Sequence, residues 1–80
     1  MQEHVKVYFK YFGYVCQEEI ICECCKNKMA VDIHHIKGRG KGKNVIKNLC
    51  ALCRDCHNKC HAEIIKKDQM QEIHNKLLKI

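Results

Sequence analysis

Eight cysteines and six histidines in a chain of 80 residues are the side chains best suited to chemistry. Four of the cysteines form two Cys-x2-Cys pairs, Cys22 with Cys25 and Cys53 with Cys56. Pairs with this spacing are typical of zinc knuckles, because thiolates from two such turns complete a tetrahedral site. The sequence therefore predicts one structural Zn²⁺ bound by these four thiolates.

Two other uses of the cysteines agree less well with the sequence. A disulfide framework is typical of secreted chains, but residues 1–10 carry several charges and lack the apolar core of a secretory segment. An iron–sulfur cluster could use the period-three run Cys50, Cys53 and Cys56, which lacks the usual fourth ligand and the proline after it. We therefore expect a cytoplasmic protein whose thiols are reduced and bind a metal.

The cysteines outside the two pairs are expected to pack as small buried hydrophobes. They are Cys16, Cys24, Cys50 and Cys60. Cys24 is next to Cys25, and Cys60 lies one helical turn beyond Cys56, so either could substitute as a zinc ligand.

Four of the histidines fall in two tight groups, His34-His35 and His57-x3-His61. Residues four apart share one face of a helix, so His57 and His61 can both bind one ion. Neighbouring residues in a strand face opposite ways, so only one of His34 and His35 easily joins them. Three protein ligands with an open position are typical of a catalytic metal. Each group taken alone has a plainer interpretation, as surface histidines or as ligands of a mixed Cys/His knuckle.

Between the two histidine groups lies a glycine-rich segment with five positive charges and no acidic residue. The charged residues of this basic loop are Lys37, Arg39, Lys41, Lys43 and Lys47. Alone, such a run is a solvated loop, but beside a metal site it indicates binding to nucleic-acid phosphates. Arg39 is the candidate for clamping the phosphate that reacts. Contacts to phosphates do not read bases, so we expect weak sequence preference.

The length limits the scaffold that can position these groups. A chain of 80 residues with a formal net charge of +6 is too short for a Rossmann domain or a TIM barrel. Its core needs a metal, disulfides or a partner for stability. We expect one domain over residues 1–80, made of an N-terminal helix and connector (1–21), a central core (22–61) and a C-terminal helix (62–80).

The pattern of the central core predicts a ββα unit. Residues 30–36 and 45–52 are β-prone and predict two short strands joined by the basic loop. A helix is predicted to begin at Arg54 and to carry Ile64 and Ile65 near its end.

Two flanking helices complete the expected architecture. Residues 3–14 predict a helix that ends at Gly13, and the aromatic stripe on its apolar face is expected to be core rather than a base-stacking surface. That face consists of Val5, Tyr8, Phe9 and Phe12. The final helix is predicted to be capped by Asp68. Its apolar positions are Ile73, Leu77 and Ile80.

The chain resembles the HNH endonuclease family through three motifs in order: Cys22-x2-Cys25, then Asp32-Ile33-His34-His35-Ile36, then Asn48-Leu49-x2-Leu52-Cys53-x2-Cys56-His57-x3-His61. It is most similar to the zinc-stapled HNH proteins common in phage and bacterial genomes, and its catalytic part is similar to the ββα-metal site of the nuclease colicins. The resemblance covers residues 22–61. It implies an α+β fold, a small zinc-stapled ββα-metal (His-Me finger) domain with flanking helices.

The resemblance also implies roles for the matching residues. The catalytic divalent metal would be bound by His34, His57 and His61. His35 would be the general base, and Asn48 would tie the two strands together and hold the base in place. Asp32 either adds a carboxylate beside the metal ligands or is a solvated strand residue. Mg²⁺ prefers oxygen ligands, so an all-imidazole site favours Ni²⁺, Co²⁺, Mn²⁺ or Zn²⁺, although the family is permissive.

Together these features predict a metal-dependent endonuclease that hydrolyses DNA phosphodiester bonds, by nicking or double-strand cutting. Its partner would be DNA, mainly through phosphates, with no membrane. One active site cuts one strand, so a homodimer or a targeting protein is expected for double-strand cutting or for specificity. The alternative is a non-catalytic zinc module that acts as an adaptor for nucleic acid or protein. The resemblance indicates a bacterial or phage-infected cell as its setting.

Overall fold

Helices surround a short antiparallel sheet in the computed structural model, which describes residues 2–79. The strands are β1 (Asp32–His35) and β2 (Leu49–Leu52). The helices are α1 (Glu3–Phe12), α2 (Arg54–His61) and α3 (Lys67–Leu78), and 3-10 turns cover Gln17–Glu19 and Ile46–Asn48. The predicted α+β class, a ββα unit with flanking helices, is confirmed.

The two strands pair so that the candidate site lies along β1. His34 is opposite Cys50, and His35 is opposite Leu49. All four residues of β2 are buried, whereas β1 alternates, with Ile33 and His35 more buried than their neighbours. Strand β2 is therefore part of the core, whereas β1 carries the less buried polar side chains Asp32 and His34.

The prediction of a second strand over residues 45–52 is wrong in its first half. Residues 46–48 form a 3-10 turn, in which the amide of Asn48 donates to the carbonyl of Val45 at 2.9 Å. The Asn48 side chain also bonds the backbone of the preceding loop at three points. These bonds occupy the backbone groups that a longer strand would use, so β2 begins only at Leu49.

The predicted end of α1 is correct, whereas the predicted end of α2 is not. The end of α1 is confirmed, because Gly13 follows it with φ 75°, a left-handed conformation that glycine adopts without strain. The extension of α2 through Ile64 and Ile65 is wrong, since the helix ends at His61. Glu63 has φ 60°, which turns the chain away from the helix axis.

The last helix begins and packs differently from the prediction. Lys66, rather than Asp68, is the capping residue, and its amide donates to the side chain of Gln69 at 2.9 Å. The buried residues of α3 are Met70 and His74, whereas Leu77 is 47% exposed. The predicted apolar position Ile80 lies outside the described residues.

The apolar core has two parts on either side of the sheet. In one part Tyr8 and Phe9 of α1 pack against residues of both strands, which confirms that the aromatic stripe is core. The other part consists of the paired cysteines with Ile36, Leu52 and Met70. Among the described residues, no helix has the length and apolar character needed to cross a membrane.

Candidate metal sites and active-site cleft

The two Cys-x2-Cys pairs converge on one point between the first knuckle and the start of α2. Cys22 and Cys25 lie in a tight turn closed by the amide of Lys26 donating to the carbonyl of Cys22 at 3.1 Å. Cys53 immediately precedes α2 and Cys56 lies in its first turn. The four sulfur atoms all lie within 4.8 Å of one another.

This sulfur cluster fits a tetrahedral Zn²⁺ by its spacing. Zn–S bonds of about 2.3 Å require sulfur atoms about 3.8 Å apart. The Sγ atoms of Cys25 and Cys53 are 3.8 Å apart. The structure groups the predicted four residues and leaves the possible substitutes, Cys24 and Cys60, outside that group.

The electrostatics of the sulfur cluster also favour a cation. The amide of Asn27 bonds the Cys25 sulfur and lowers the pKa of that thiol to about 6. Burial and the neighbouring sulfur atoms raise the pKa of Cys56 far above its usual range. A divalent ion would offset the repulsion that four close thiolates create.

The remaining cysteines divide between core and surface. Cys50 is fully buried, 3.3 Å from the sulfur of Met70, as expected for a small hydrophobe. The same expectation is wrong for Cys16, which is exposed and lies 3.6 Å from a carboxylate oxygen of Glu19. Cys16 precedes the first 3-10 turn, where a side chain can reach solvent.

Three imidazoles converge beside the sheet. His57 and His61 stack one turn apart on α2, with their Nε2 atoms 3.0 Å apart. The ring of His34, on β1, has its centroid 5.2 Å from that of His57 and 5.9 Å from that of His61. One nitrogen from each ring lies within 4.8 Å of the others.

The three imidazoles fit a divalent metal in spacing and in protonation. Ligand nitrogens about 2.1 Å from a metal are about 3.0 to 3.4 Å apart in octahedral or tetrahedral geometry. Burial and the charges of the neighbouring histidines lower the pKa of His34 to about 4. His34 is therefore neutral near pH 7, with a lone pair available for a metal.

Asp32 lies against the outer side of these imidazoles. Its Oδ2 is 2.8 Å from Nδ1 of His57 and 3.6 Å from the guanidinium of Arg54, although the His57 ring is not aligned for a linear hydrogen bond. A carboxylate at Nδ1 leaves Nε2 of His57 free to face His61 and a metal. Of the two interpretations of Asp32, the structure favours the carboxylate beside the metal ligands.

His35 faces the same cleft with a different set of contacts. It is 7% exposed, and its Nε2 lies 2.8 Å from Oδ1 of Asn44. Its Nδ1 is buried and has no hydrogen-bond partner. The ring of His4, from α1, packs on it with a centroid distance of 4.5 Å. Burial, together with the charges of His35 and Arg39, lowers the pKa of His4.

Asn48 bonds the loop rather than His35 itself. Its Oδ1 accepts the amide of Lys37 at 2.7 Å. Its Nδ2 donates to the carbonyls of Gly38 at 3.1 Å and Lys43 at 3.0 Å. Asn48 thus fixes both ends of the glycine-rich segment, and the asparagine that bonds the proposed base is Asn44.

A cleft of about 920 Å³ joins these groups. Its walls include His34, His35, His57, His61 and Arg39. All five charged residues of the basic loop are exposed. Arg39 is the member of the loop that lines the cleft, so a phosphate near the imidazoles would meet its guanidinium.

Two residues that contact His35, Asn44 and His4, were not singled out from the sequence. Asn44 lies within the basic loop. A single polar residue in a loop matches no spacing pattern that would mark it in the sequence. His4 is an isolated histidine on α1, and its contact with His35 joins α1 to β1. Only the folded arrangement brings either of them to the site.

A comparison with known families agrees with the sequence motifs. A family model described as HNH endonuclease matches residues 22–63, which is more than half of the chain. That range contains both metal-ligand groups and the basic loop, while α1 and α3 lie outside it. No curated protein and no solved structure matches the chain significantly.

Proposed function

The chain belongs to the HNH endonuclease family, and from that premise we propose that it is a metal-dependent endonuclease that hydrolyses DNA phosphodiester bonds. One observation carries the proposal. The three converging imidazoles and the unpartnered Nδ1 of His35 share a cleft that Arg39 also lines. Hydrolysis of a phosphodiester needs these three things together: a site for a cation, a proton acceptor and positive charge at the phosphate.

His35 and Arg39 have separate roles in the proposed hydrolysis. Nδ1 of His35 accepts a proton from a water molecule as the water oxygen attacks phosphorus. Arg39 binds a phosphate oxygen and orients the substrate. The bond from phosphorus to the 3′ oxygen breaks, and solvent protonates that oxygen, leaving 5′-phosphate and 3′-hydroxyl ends.

Two metal ions belong to the proposal. The four-cysteine cluster holds a structural Zn²⁺. His34, His57 and His61 would hold the catalytic divalent metal, which would supply positive charge to the reacting phosphate. The all-imidazole set favours Ni²⁺, Co²⁺, Mn²⁺ or Zn²⁺ over Mg²⁺.

The basic loop supports DNA as the substrate and a low intrinsic sequence specificity. Its charges are exposed, as suits contacts with the phosphates of a duplex. A single active site cuts one strand, so the isolated protomer nicks. Cutting both strands requires a second copy or a targeting partner.

A plasmid-nicking assay tests the proposed function. Zinc-loaded protein is incubated with supercoiled plasmid and each divalent metal in turn, and the 5′ and 3′ ends of the nick are identified. We expect nicking by the wild type, and a loss of about 10²- to 10⁴-fold for His35→Ala, the range typical of a general base. Tyr11→Ala, which removes an exposed ring of α1 outside the cleft, is the control and should nick normally.

Two results would count against the enzyme. If the wild type leaves the plasmid supercoiled with every metal while it still binds zinc, the chain is a non-catalytic zinc adaptor. If His35→Ala nicks as fast as the wild type, another group is the base.

A further inference from the structure

The imidazole of His35 is held by two side chains whose roles do not follow from metal binding. Asn44 contacts one ring nitrogen, and His4 covers a face of the ring. The other ring nitrogen, Nδ1, is buried without a partner in a cleft-lining residue that is 7% exposed. A buried polar atom without a hydrogen-bond partner requires an explanation. The contact that Asn44 makes with Nε2, the opposite ring nitrogen, supplies that explanation.

The contact with Asn44 decides which nitrogen carries the proton of a neutral His35. The atom of Asn44 that lies 2.8 Å from Nε2 is the amide oxygen, which only accepts hydrogen bonds. Nε2 must therefore be the N–H donor. In a neutral imidazole the other nitrogen is then an acceptor, so the lone pair of this cleft-lining side chain is on Nδ1.

We propose that Asn44 is the positioning residue of the base: it holds neutral His35 in the Nε2–H tautomer and points the Nδ1 lone pair at the water that attacks phosphorus. The inference rests on the proposed function in one respect, which is that this water attacks the phosphorus of a DNA phosphodiester. The tautomer itself follows from the contact between His35 and Asn44 and is measurable without any DNA.

Asn44 is itself fixed by the neighbouring loop. Nδ2 of Asn48 donates to the carbonyl of Lys43 at 3.0 Å, one residue before Asn44. Asn48 thus acts on the base through the backbone and through Asn44. This relay gives Asn48 a defined connection to His35 although the two side chains are not bonded to each other.

His4 adds a packing constraint from outside the region that matches the family model. Its ring is tilted by 49° against His35, and the residue is 7% exposed. Contact over the ring face hinders a flip of His35 about its side-chain bonds, a flip that would replace Nε2 by a ring carbon at the Asn44 contact. Helix α1 therefore contributes to the site as well as to the core.

The first arm of the test measures the tautomer. Long-range ¹H–¹⁵N NMR spectra of zinc-loaded protein distinguish a protonated ring nitrogen from an unprotonated one, and the His35 signals are those that His35→Gln removes. We expect an Nε2-protonated ring in the wild type and in Asn44→Asp, which keeps an acceptor oxygen. In Asn44→Ala we expect a mixture of the two tautomers. An Nδ1-protonated wild type would overturn the proposal.

The second arm measures nicking by the same variants. Asn44→Ala should lower kcat by about 10- to 100-fold, as is typical of residues that orient a catalytic group, with KM nearly unchanged. Asn44→Asp should recover most of that loss. Asn58→Ala, which changes an exposed residue of α2, is the matched control and should behave as wild type.

The two arms separate this inference from the proposed function. If the wild type does not nick, the proposed function fails, but the tautomer measured by NMR still decides whether Asn44 sets the proton position. If Asn44→Ala does not fold, the wild-type tautomer and the Asn44→Asp variant decide it. Unchanged tautomer and unchanged kcat in Asn44→Ala would refute the role.

Discussion

A single carboxylate lies against one of the candidate metal-binding imidazoles. Asp32 Oδ2 lies 2.8 Å from Nδ1 of His57, on the side of the ring away from His61. Metal-binding histidines commonly have a carboxylate at the second nitrogen, which fixes the ring and raises its basicity as a ligand. Asp32 is 35% exposed in its side chain, so part of this effect is screened by solvent.

Replacing Asp32 with asparagine should therefore weaken the catalytic metal site. We expect Asp32→Asn to lower the affinity for Mn²⁺ or Ni²⁺ by about 10- to 100-fold. Isothermal titration of the metal into zinc-loaded protein measures the change. Glu72→Gln, which removes an exposed carboxylate on α3, is the control. An affinity equal to that of the wild type would show that Asp32 is only a solvated strand residue.

The convergence of the two candidate ligand groups could be predicted from the sequence, whereas the contacts of the neighbouring residues could not. The two ligand groups are encoded by short spacings, Cys-x2-Cys and His-x3-His, that the local backbone converts directly into geometry. The contacts of Asn44 and His4 with His35 depend on the path of a loop and on the docking of a helix. No local pattern encodes those two features.

Between secondary-structure elements, one buried polar cluster joins α1, α3 and the sheet. Glu23 accepts the hydroxyl of Tyr8 at 2.6 Å and the amide of Ala51 at 3.0 Å. Its other oxygen lies 2.6 Å from Nδ1 of His74, and Nε2 of His74 lies 2.6 Å from the carbonyl of Ile46. Both ring nitrogens of His74 face acceptors, so the protonated ring satisfies every group in the cluster.

The charge of His74 should make the docking of α3 depend on pH. Burial alone would lower the pKa of His74, but the bonds and charge of Glu23 and the Ile46 carbonyl raise it above 6.5. The unfolded chain loses this proton near pH 6.5, whereas the folded chain keeps it to higher pH. The stabilisation is therefore complete below pH 6.5 and is lost as the pH rises through the folded value.

Thermal unfolding of His74→Gln against wild type tests this pH dependence. With excess zinc throughout, the difference in Tm between the two proteins should be largest near pH 6 and should narrow towards about pH 9. Because both proteins bind zinc with the same pH dependence, subtracting one Tm from the other removes that contribution. A difference that stays constant or widens with pH would contradict a charged His74.

The types of the elements were easier to predict than their limits. Amphipathic spacing and Gly13 predicted α1 well, because both signals are local. The start of β2 and the end of α2 depend on Asn48 bonds to the loop and on a left-handed Glu63. His74, which lies 51 residues from Glu23, is the buried anchor of α3, although its apolar neighbours had seemed better candidates.

For the molecule as a whole, the sulfur cluster is part of one of the two core clusters. Cys22, Cys53 and Cys56 are buried together with Leu52 and Met70, so loss of the metal would leave unligated thiols inside the core itself. A chain of 80 residues buries too little apolar surface to tolerate that loss. Zinc binding and folding should therefore be a single event.

Removing zinc should abolish cooperative unfolding. We expect a strong chelator, or Cys53→Ser, to eliminate the thermal transition followed by circular dichroism, and we expect added Zn²⁺ but not Mg²⁺ to restore it in the wild type. Cys16→Ser is the matched control, because that thiol is exposed outside the cluster and its loss should change stability by less than about 0.5 kcal/mol. A chelated protein with an unchanged Tm would show that the apolar core suffices.

The position of the positive charge, more than its total, should govern DNA binding. Lys41 and Lys43 lie in the exposed loop beside the cleft, whereas Lys6 and Lys10 lie on exposed positions of α1 that do not line it. Replacing each pair with glutamine removes the same net charge. Each phosphate contact contributes about 0.9 to the slope of log K against log salt concentration, so loss of the loop pair should flatten that slope by up to about 1.8.

Fluorescence anisotropy of a labelled duplex at several salt concentrations measures both slopes. The Lys41→Gln/Lys43→Gln protein should bind more weakly on every sequence tested, because phosphate contacts carry no base information. The Lys6→Gln/Lys10→Gln protein should keep a slope close to that of the wild type. Equal flattening in the two variants would mean that DNA responds to the overall field of the protein, and the loop would lose its assigned role of placing a phosphate beside Arg39.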